Sequence, residues 1–305
     1  MGAITWFFTQ VGLGFYDFFY AILHLNTWVN WSDPKSLMRF IYYGGSVEFF
    51  FVIFDFFLVI TIIGIFRRGF LWKVLRVLEG IANGVGRVAA WAGLFMVLQQ
   101  IIIVFLQRIF LVSHISIGPF GYTFQQDISW YAEELKLFNA IVVALCVSYT
   151  FVQGGHVRVD LFYANVSFKT KKVIDMFGSL FFILPTMTLV WMYGWFFLWR
   201  HLVVPKPAAS NTLDALLRKS GFLKWNIETI GFSPNGFNAY FLFKILLVSF
   251  AGLMFLQGVA FFYRSYLEFK EGPDSESRNL DFDHLAENAE KEALADATMH
   301  VGAAE

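Results

Sequence analysis

Residues 171–191 read KKVIDMFGSLFFILPTMTLVW: Lys171, Lys172 and Asp175 carry charge, and no further charge follows through Trp191. From Val173 the apolar run continues to Trp199. About 20 such residues are enough for a helix to cross the hydrocarbon core of a bilayer. A water-soluble core has no need of so long an uncharged run, so this stretch predicts a membrane helix. Pro185 sits inside it, removes one backbone donor and predicts a kink.

Similar runs cover 4–28 and 40–66, then 89–112 and 132–152 before this one, and 237–262 after it. The chain of 305 residues is 57% hydrophobic and 20% aromatic, and only 15% charged. Soluble domains carry about 25% charged residues, so the composition agrees with the runs. Trp6 and Trp28 bracket the first run, as an aromatic belt would. That run has no basic region before it and is too long for a cleavable signal, so it is read as retained. The expected fold is an all-α integral membrane protein. Residues 1–66 form an N-terminal extension of two hydrophobic membrane helices, and 89–265 form a four-span domain.

Between these parts, 67–87 reads RRGFLWKVLRVLEGIANGVGR. Leu71, Val74, Leu78, Ile81 and Val85 make one stripe, with Lys73, Arg76, Gly80, Asn83 and Arg87 on another. The pattern predicts a basic amphipathic helix over 67–88 lying in the headgroup plane, in preference to the alternative of a cytoplasmic continuation of a membrane helix. After Tyr266 the chain turns acidic, and 266–305 is expected to be a solvated, mostly disordered tail. Arg67, Arg68, Lys73, Arg76 and Arg87 lie between the second and third runs. Arg158, Lys169, Lys171 and Lys172 lie between the fourth and fifth, and Arg264 and Lys270 at the end of the last. Short basic connections face the cytoplasm. If six helices cross, all three clusters share that side and both termini lie there. Lys206, Arg218, Lys219 and Lys224 fall in the long connection 200–236 on the opposite side.

Several function classes drop out. Equal numbers of basic and acidic residues, 23 each, leave no nucleic-acid signature. Cys146 is the sole cysteine, so neither an internal disulfide nor a thiolate metal site can form. Of six histidines only His24 is well inside a run; His114, His156 and His201 lie at run ends, and His284 and His300 in the tail. That placement disfavours a haem-bearing anchor of a redox complex. No metal box, phosphate-binding glycine loop or nucleophile with its base is present, so neither an enzyme nor a cofactor is expected.

Polar side chains inside apolar runs are costly and ask for partners. Gln100 and Gln107 share one helical face with Arg108 beside them; Glu48 and Asp55 repeat the seven-residue spacing; Asp17 and Lys244 stand within the first and last runs. They do not line up as a proton or ion relay, so burial against helices or against a partner protein is the better reading. A standalone channel or carrier would need a polar stripe through several runs or paired broken helices.

The loop FVQGGHVRVDLFY, 151–163, separates the fourth and fifth runs. Gly154 and Gly155 can close the preceding helix. His156, Arg158 and Asp160 alternate with Val157, Val159 and Leu161, so an extended strand would put the polar trio on one side; the residues alone equally suit a polar positive-inside anchor loop. In its full setting, YTFVQGGHVRVDLFYANVS followed by KKVIDMFGSLFFILPTMTLVW, the stretch resembles the DctQ-like small membrane subunit of tripartite ATP-independent periplasmic (TRAP) transporters. The residues that carry the resemblance are Tyr149 and Thr150, the string from His156 to Asp160, Asp175, Gly178 and Pro185, with Glu133 ahead of them. In the closing KILLVSFAGLMFLQGVAFF they are Gln257 and Gly258. It covers about residues 87–265; residues 1–66 have no counterpart, and 200–236 is longer than usual.

The resemblance implies a subunit without chemistry of its own. A periplasmic DctP-like binding protein would capture an organic, carboxylate-type substrate. A large DctM-like membrane subunit would carry the substrate and sodium sites and move as an elevator, and the small subunit would brace its fixed scaffold in the bacterial inner membrane. Glu133, His156, Arg158, Asp160, Gln100, Gln107 and Arg108 would then be structural or interface residues. Within 200–236, NTLDALLRKSGF predicts a short helix with Leu213, Leu216 and Leu217 on its apolar side and Gly221 as its stop. Arg218, Lys219 and Lys224 make that surface mildly basic, a candidate docking site for the binding protein, while Phe222, Leu223 and Trp225 suit a loop packed over the tops of its own helices equally well.

Overall fold

The computed structural model describes residues 2–117, 124–152, 166–229, 236–276 and 278. Helices α1 (Ala3–Leu23), α2 (Pro34–Gly44), α3 (Val47–Phe66) and α4 (Arg68–Val104) come first. A hairpin of β1 (His114–Ile117) and β2 (Phe124–Asp127) follows, then α5 (Ile128–Val152), α6 (Phe168–Gly178), α7 (Leu184–Trp199), α8 (Leu213–Lys219) and α9 (Phe241–Glu271). A two-residue pair, β3 (Val203–Val204) with β4 (Lys224–Trp225), ties down the connection around α8. Among the described residues five helices are long and apolar enough to cross a membrane: Val47–Phe66, Arg68–Ile109, Ile128–Val152, Phe168–Trp199 and Phe241–Glu271.

The run 40–66 is two helices, not one. It breaks at Gly45, and Ser46 caps α3 by accepting from the Phe49 N–H at 3.3 Å. A break at membrane depth leaves carbonyls with no water to bond. Tryptophans of α7 answer them: Trp191 Nε1 donates to the Gly44 carbonyl at 2.8 Å and Trp195 Nε1 to that of Ile41 at 2.9 Å. Gly44 and Gly45 let those rings in, since a Cβ at either would strike the Trp195 or Phe196 ring. At its other end α2 starts at Pro34, and Asp33 accepts from the Lys35 N–H and the Ser36 hydroxyl, both at 3.1 Å.

The amphipathic stretch and the third run form a single helix. From Arg68 the chain stays helical to Ile109, its last turns widening into a π-helix at Phe105–Ile109. No break falls near 88, so 67–88 is the continuation of a span and not a separate surface helix. At 1.5 Å per residue the helix measures about 63 Å, roughly twice the hydrocarbon thickness. Its buried face also differs from the expected apolar stripe: Leu71, Trp72, Leu75, Glu79, Ala82, Asn83 and Gly86 point inward, while Ile81 is exposed. Small residues decide this. Gly86 lies so close to Tyr149 of α5 that a Cβ would collide with it, and Ala82 and Ala89 extend the same close approach.

The run from Lys171 to Trp199 is one helical span, Phe168–Trp199. Pro185 is accommodated by a π-turn at Ser179–Ile183 just before it, which relieves the clash with the preceding carbonyls. Helix α9 occupies the middle, packed on α4, α5, α6 and α7. It runs on past 266 to Glu271, and Leu267, Glu268 and Ser275 are buried. The first residues assigned to the acidic tail therefore belong to the packed body. Helix α1 is mostly exposed, with Gly14 its one buried residue. Trp6, Gly14 and Phe18 meet Phe51, Asp55 and Phe56 of α3.

Candidate functional site

Two ends of the bundle collect the polar side chains. At the end where α3 stops and α4 and α6 begin, Arg264 of α9 holds both oxygens of Glu79 of α4, Nε to Oε1 and Nη2 to Oε2, each at 2.7 Å. Its Nη1 donates to the Arg278 carbonyl at 3.1 Å and stands 3.5 Å from Glu268. Glu268 in turn holds Lys172 of α6 at 2.7 Å, and Lys172 reaches Glu276 at 3.1 Å. Trp72 Nε1 donates to Glu271 at 3.0 Å, with the guanidinium of Arg264 5.9 Å from its ring centroid. Glu79, Lys172, Arg264 and Glu268 are all buried. Buried charges are tolerated only when paired, and this chain of alternating sign fixes α4, α6 and α9 to one another and to the segment after Gly272. Sequence reasoning passed over it. The available signal was Arg264 and Glu268 at i,i+4 spacing, together with Glu79 alone in a basic stretch.

At the opposite end Glu133 of α5 accepts the Phe237 N–H at 2.9 Å, with its carboxylate packed on Gly236, where a side chain would strike it. Glu133 therefore anchors the chain entering α9. Helix α8 forms as its leucines require: Thr212 caps it at 3.4 Å from Ala215, and Leu216 is buried with Leu37, Met38, Ile41, Trp199 and Val203. Gly221 lies in a 3-10 turn, Ser220–Phe222, and among the described residues only Gly272 is a glycine of positive φ, so the stop is not a left-handed cap. Arg218, Lys219 and Lys224 are exposed.

Within the spans, Gln100, Gln107 and Arg108 are exposed on α4 and its π-turn. The glutamine turned into the bundle is Gln99, whose amide donates to Glu134 at 3.0 Å and to the Tyr131 carbonyl at 3.1 Å. Asp55 is 3% exposed and neither of its oxygens has a hydrogen-bond partner. Lys244, 2% exposed, has its ammonium 4.7 Å from the Tyr240 ring centroid and 4.9 Å from that of Phe197. His114 bonds Asp127 at 2.9 Å, His201 lies 3.3 Å from Glu228, and His24 bonds the Tyr20 carbonyl at 3.0 Å. His156, Arg158 and Asp160 lie outside the described residues, as do His284 and His300.

The architecture is that of a multi-span helical membrane protein whose internal charges tie helices together and whose outward face carries polar side chains. Residues 121–213 match the family model described as tripartite ATP-independent periplasmic transporters, DctQ component. The match takes in β2, α5, α6 and α7, under a third of the chain, and over that stretch the chain is similar to the DctQ component of TRAP transporters. No curated protein and no solved structure gives a match.

Proposed function

We propose that the chain is the small accessory subunit that braces a large DctM-like permease. That permease would take up an organic, carboxylate-type substrate by sodium symport, with a DctP-like binding protein delivering it. The observation that carries the bracing role is the exposed pair Gln100 and Gln107. Seven residues apart, they share one face of a helix that crosses the bilayer. An amide facing lipid tails has no hydrogen-bond partner there, so such a strip calls for polar groups on a second protein. Arg108 extends it. On the same reading His156, Arg158 and Asp160 shape the connection between α5 and α6. The end carrying the Glu79–Arg264 network faces the cytoplasm with the C-terminus, since Arg67, Arg68, Lys73 and Lys172 gather there. The α8 end then faces the periplasm.

The test combines assembly with stability. Replacing Gln100 and Gln107 with Leu should lower co-purification of the large permease several-fold, yet leave the melting temperature of the isolated chain unchanged or raised. Loss of stability in the isolated chain would mean the amides serve its own fold, and the interface would have to lie elsewhere. Reconstituted alone under a sodium gradient, the wild-type chain should take up no carboxylate. Uptake above empty vesicles would make it a carrier in its own right.

A further inference from the structure

Between the N-terminal extension and the family core runs a groove of about 350 Å³, formed by α3, α7 and α9 and lined by Phe49, Ile53, Trp191, Met192, Gly252 and Phe255 among others. We propose that it binds one acyl chain of a membrane phospholipid. All three walls are parts of helices that cross the bilayer, so the groove lies at the depth of lipid tails. Its lining is almost wholly apolar. The hydroxyls at its edge are engaged with backbone: Ser46 accepts from the Phe49 N–H, and Thr188 donates to the Leu184 carbonyl at 2.8 Å. A water in a cavity needs two to four polar partners, and this groove offers almost no polar surface.

Size selects among apolar occupants. A helix about 10 Å across cannot enter such a space. An apolar cavity of about 150 Å³ accepts a benzene-sized guest, so this one has room for a chain on the order of a dozen carbons. Left empty, its walls would forgo dispersion contacts on one side, while the surrounding bilayer offers acyl chains at high concentration. Gly252 keeps the groove deep, since a Cβ there would stand 3.0 Å from the Trp191 ring. The proposal is independent of transport, because it concerns how α3 is sealed against the core.

The experiment uses the full chain in vesicles of phosphatidylethanolamine and phosphatidylglycerol. A trace of the phospholipid carries a diazirine midway along one chain, and adducts are mapped by mass spectrometry after illumination. Adducts should concentrate several-fold on peptides holding residues 49–53, 188–192 and 252–256 relative to those around the outward-facing Ile62 and Val97, and should saturate near one per chain. Filling the groove by Ile53→Trp, or from the opposite wall by Gly252→Leu, should remove that excess and spare labelling near Val97. A flat distribution overturns the proposal. So does an excess that survives both fillings in proteins of wild-type helical content. Preferential labelling by a free diazirine fatty acid, or loss of the excess when the large permease is bound, would assign the groove to another occupant and overturn it equally.

Discussion

Arg264 makes the most bonds of any charge in the buried network, and its value lies in what its removal would leave behind. Truncating one member of a buried pair leaves the other charged and unsolvated, at a cost of about 3–5 kcal/mol. Arg264→Ala should therefore cut the unfolding free energy of the detergent-solubilised chain by about that amount. The paired change Glu79→Leu with Arg264→Leu should recover most of the loss, since apolar replacement of a whole buried pair is often neutral or stabilising. A double variant as unstable as the single one would show that Glu79 contributes little. Asp33 offers a titratable counterpart at the α2 cap. Its carboxyl is held below the usual carboxylate range chiefly by the Lys35 N–H, with the Ser36 hydroxyl adding to it. Because folding lowers this pKa, the cap's contribution is present above the unfolded carboxylate value and lost as pH falls through the folded one. Amide exchange in the first turn of α2, corrected for intrinsic rates, should accelerate below roughly pH 4. Asp33→Asn should keep the cap and lose the pH dependence.

Helix α2 depends on its neighbour more than on itself. Its last carbonyls are satisfied by Trp191 and Trp195, so Trp195→Phe, which keeps a ring but loses the donor, should cost about 1–3 kcal/mol. Protease accessibility around Gly45 should rise in that variant, and unchanged accessibility would mean the break is held by packing alone. This element also shows why the sequence was legible only in part. Runs of uncharged residues declared the spans, and Leu213, Leu216 and Leu217 declared α8, because one-dimensional pattern carries that information. The break at Gly45 is met by indoles 147 and 154 residues from the Gly44 and Ile41 carbonyls they bond. The first half of the helix Arg68–Ile109 is pinned by Glu79 meeting Arg264, 185 residues on. Gln99 and Gln100 look alike in sequence, and only the rotation of the helix on α5 decides which turns in. Glu133 was singled out by resemblance, and its bond to the Phe237 N–H supplies a physical reason for an acid there.

At the scale of the whole molecule the two ends differ in chemistry. One is locked by buried pairs of opposite sign. The other presents Arg218, Lys219 and Lys224 on a small helix and strand held down by Leu216 and the β3–β4 pair. Exposed cations on a rigid platform add little to stability, but they raise the encounter rate with an acidic partner over distances of about a Debye length. Under the proposed topology that partner is the periplasmic binding protein. Replacing all three with Gln should leave assembly and melting temperature unchanged, because their side chains are exposed. Transport measured across binding-protein concentrations should then show a several-fold higher half-saturating concentration at low salt. The gap from wild type should close as ionic strength passes about 0.15 M, where the Debye length falls to about 8 Å. A gap that persists at high salt would indicate short-range contacts instead of steering. No gap at low salt, with the complex intact, would take these three residues out of docking altogether.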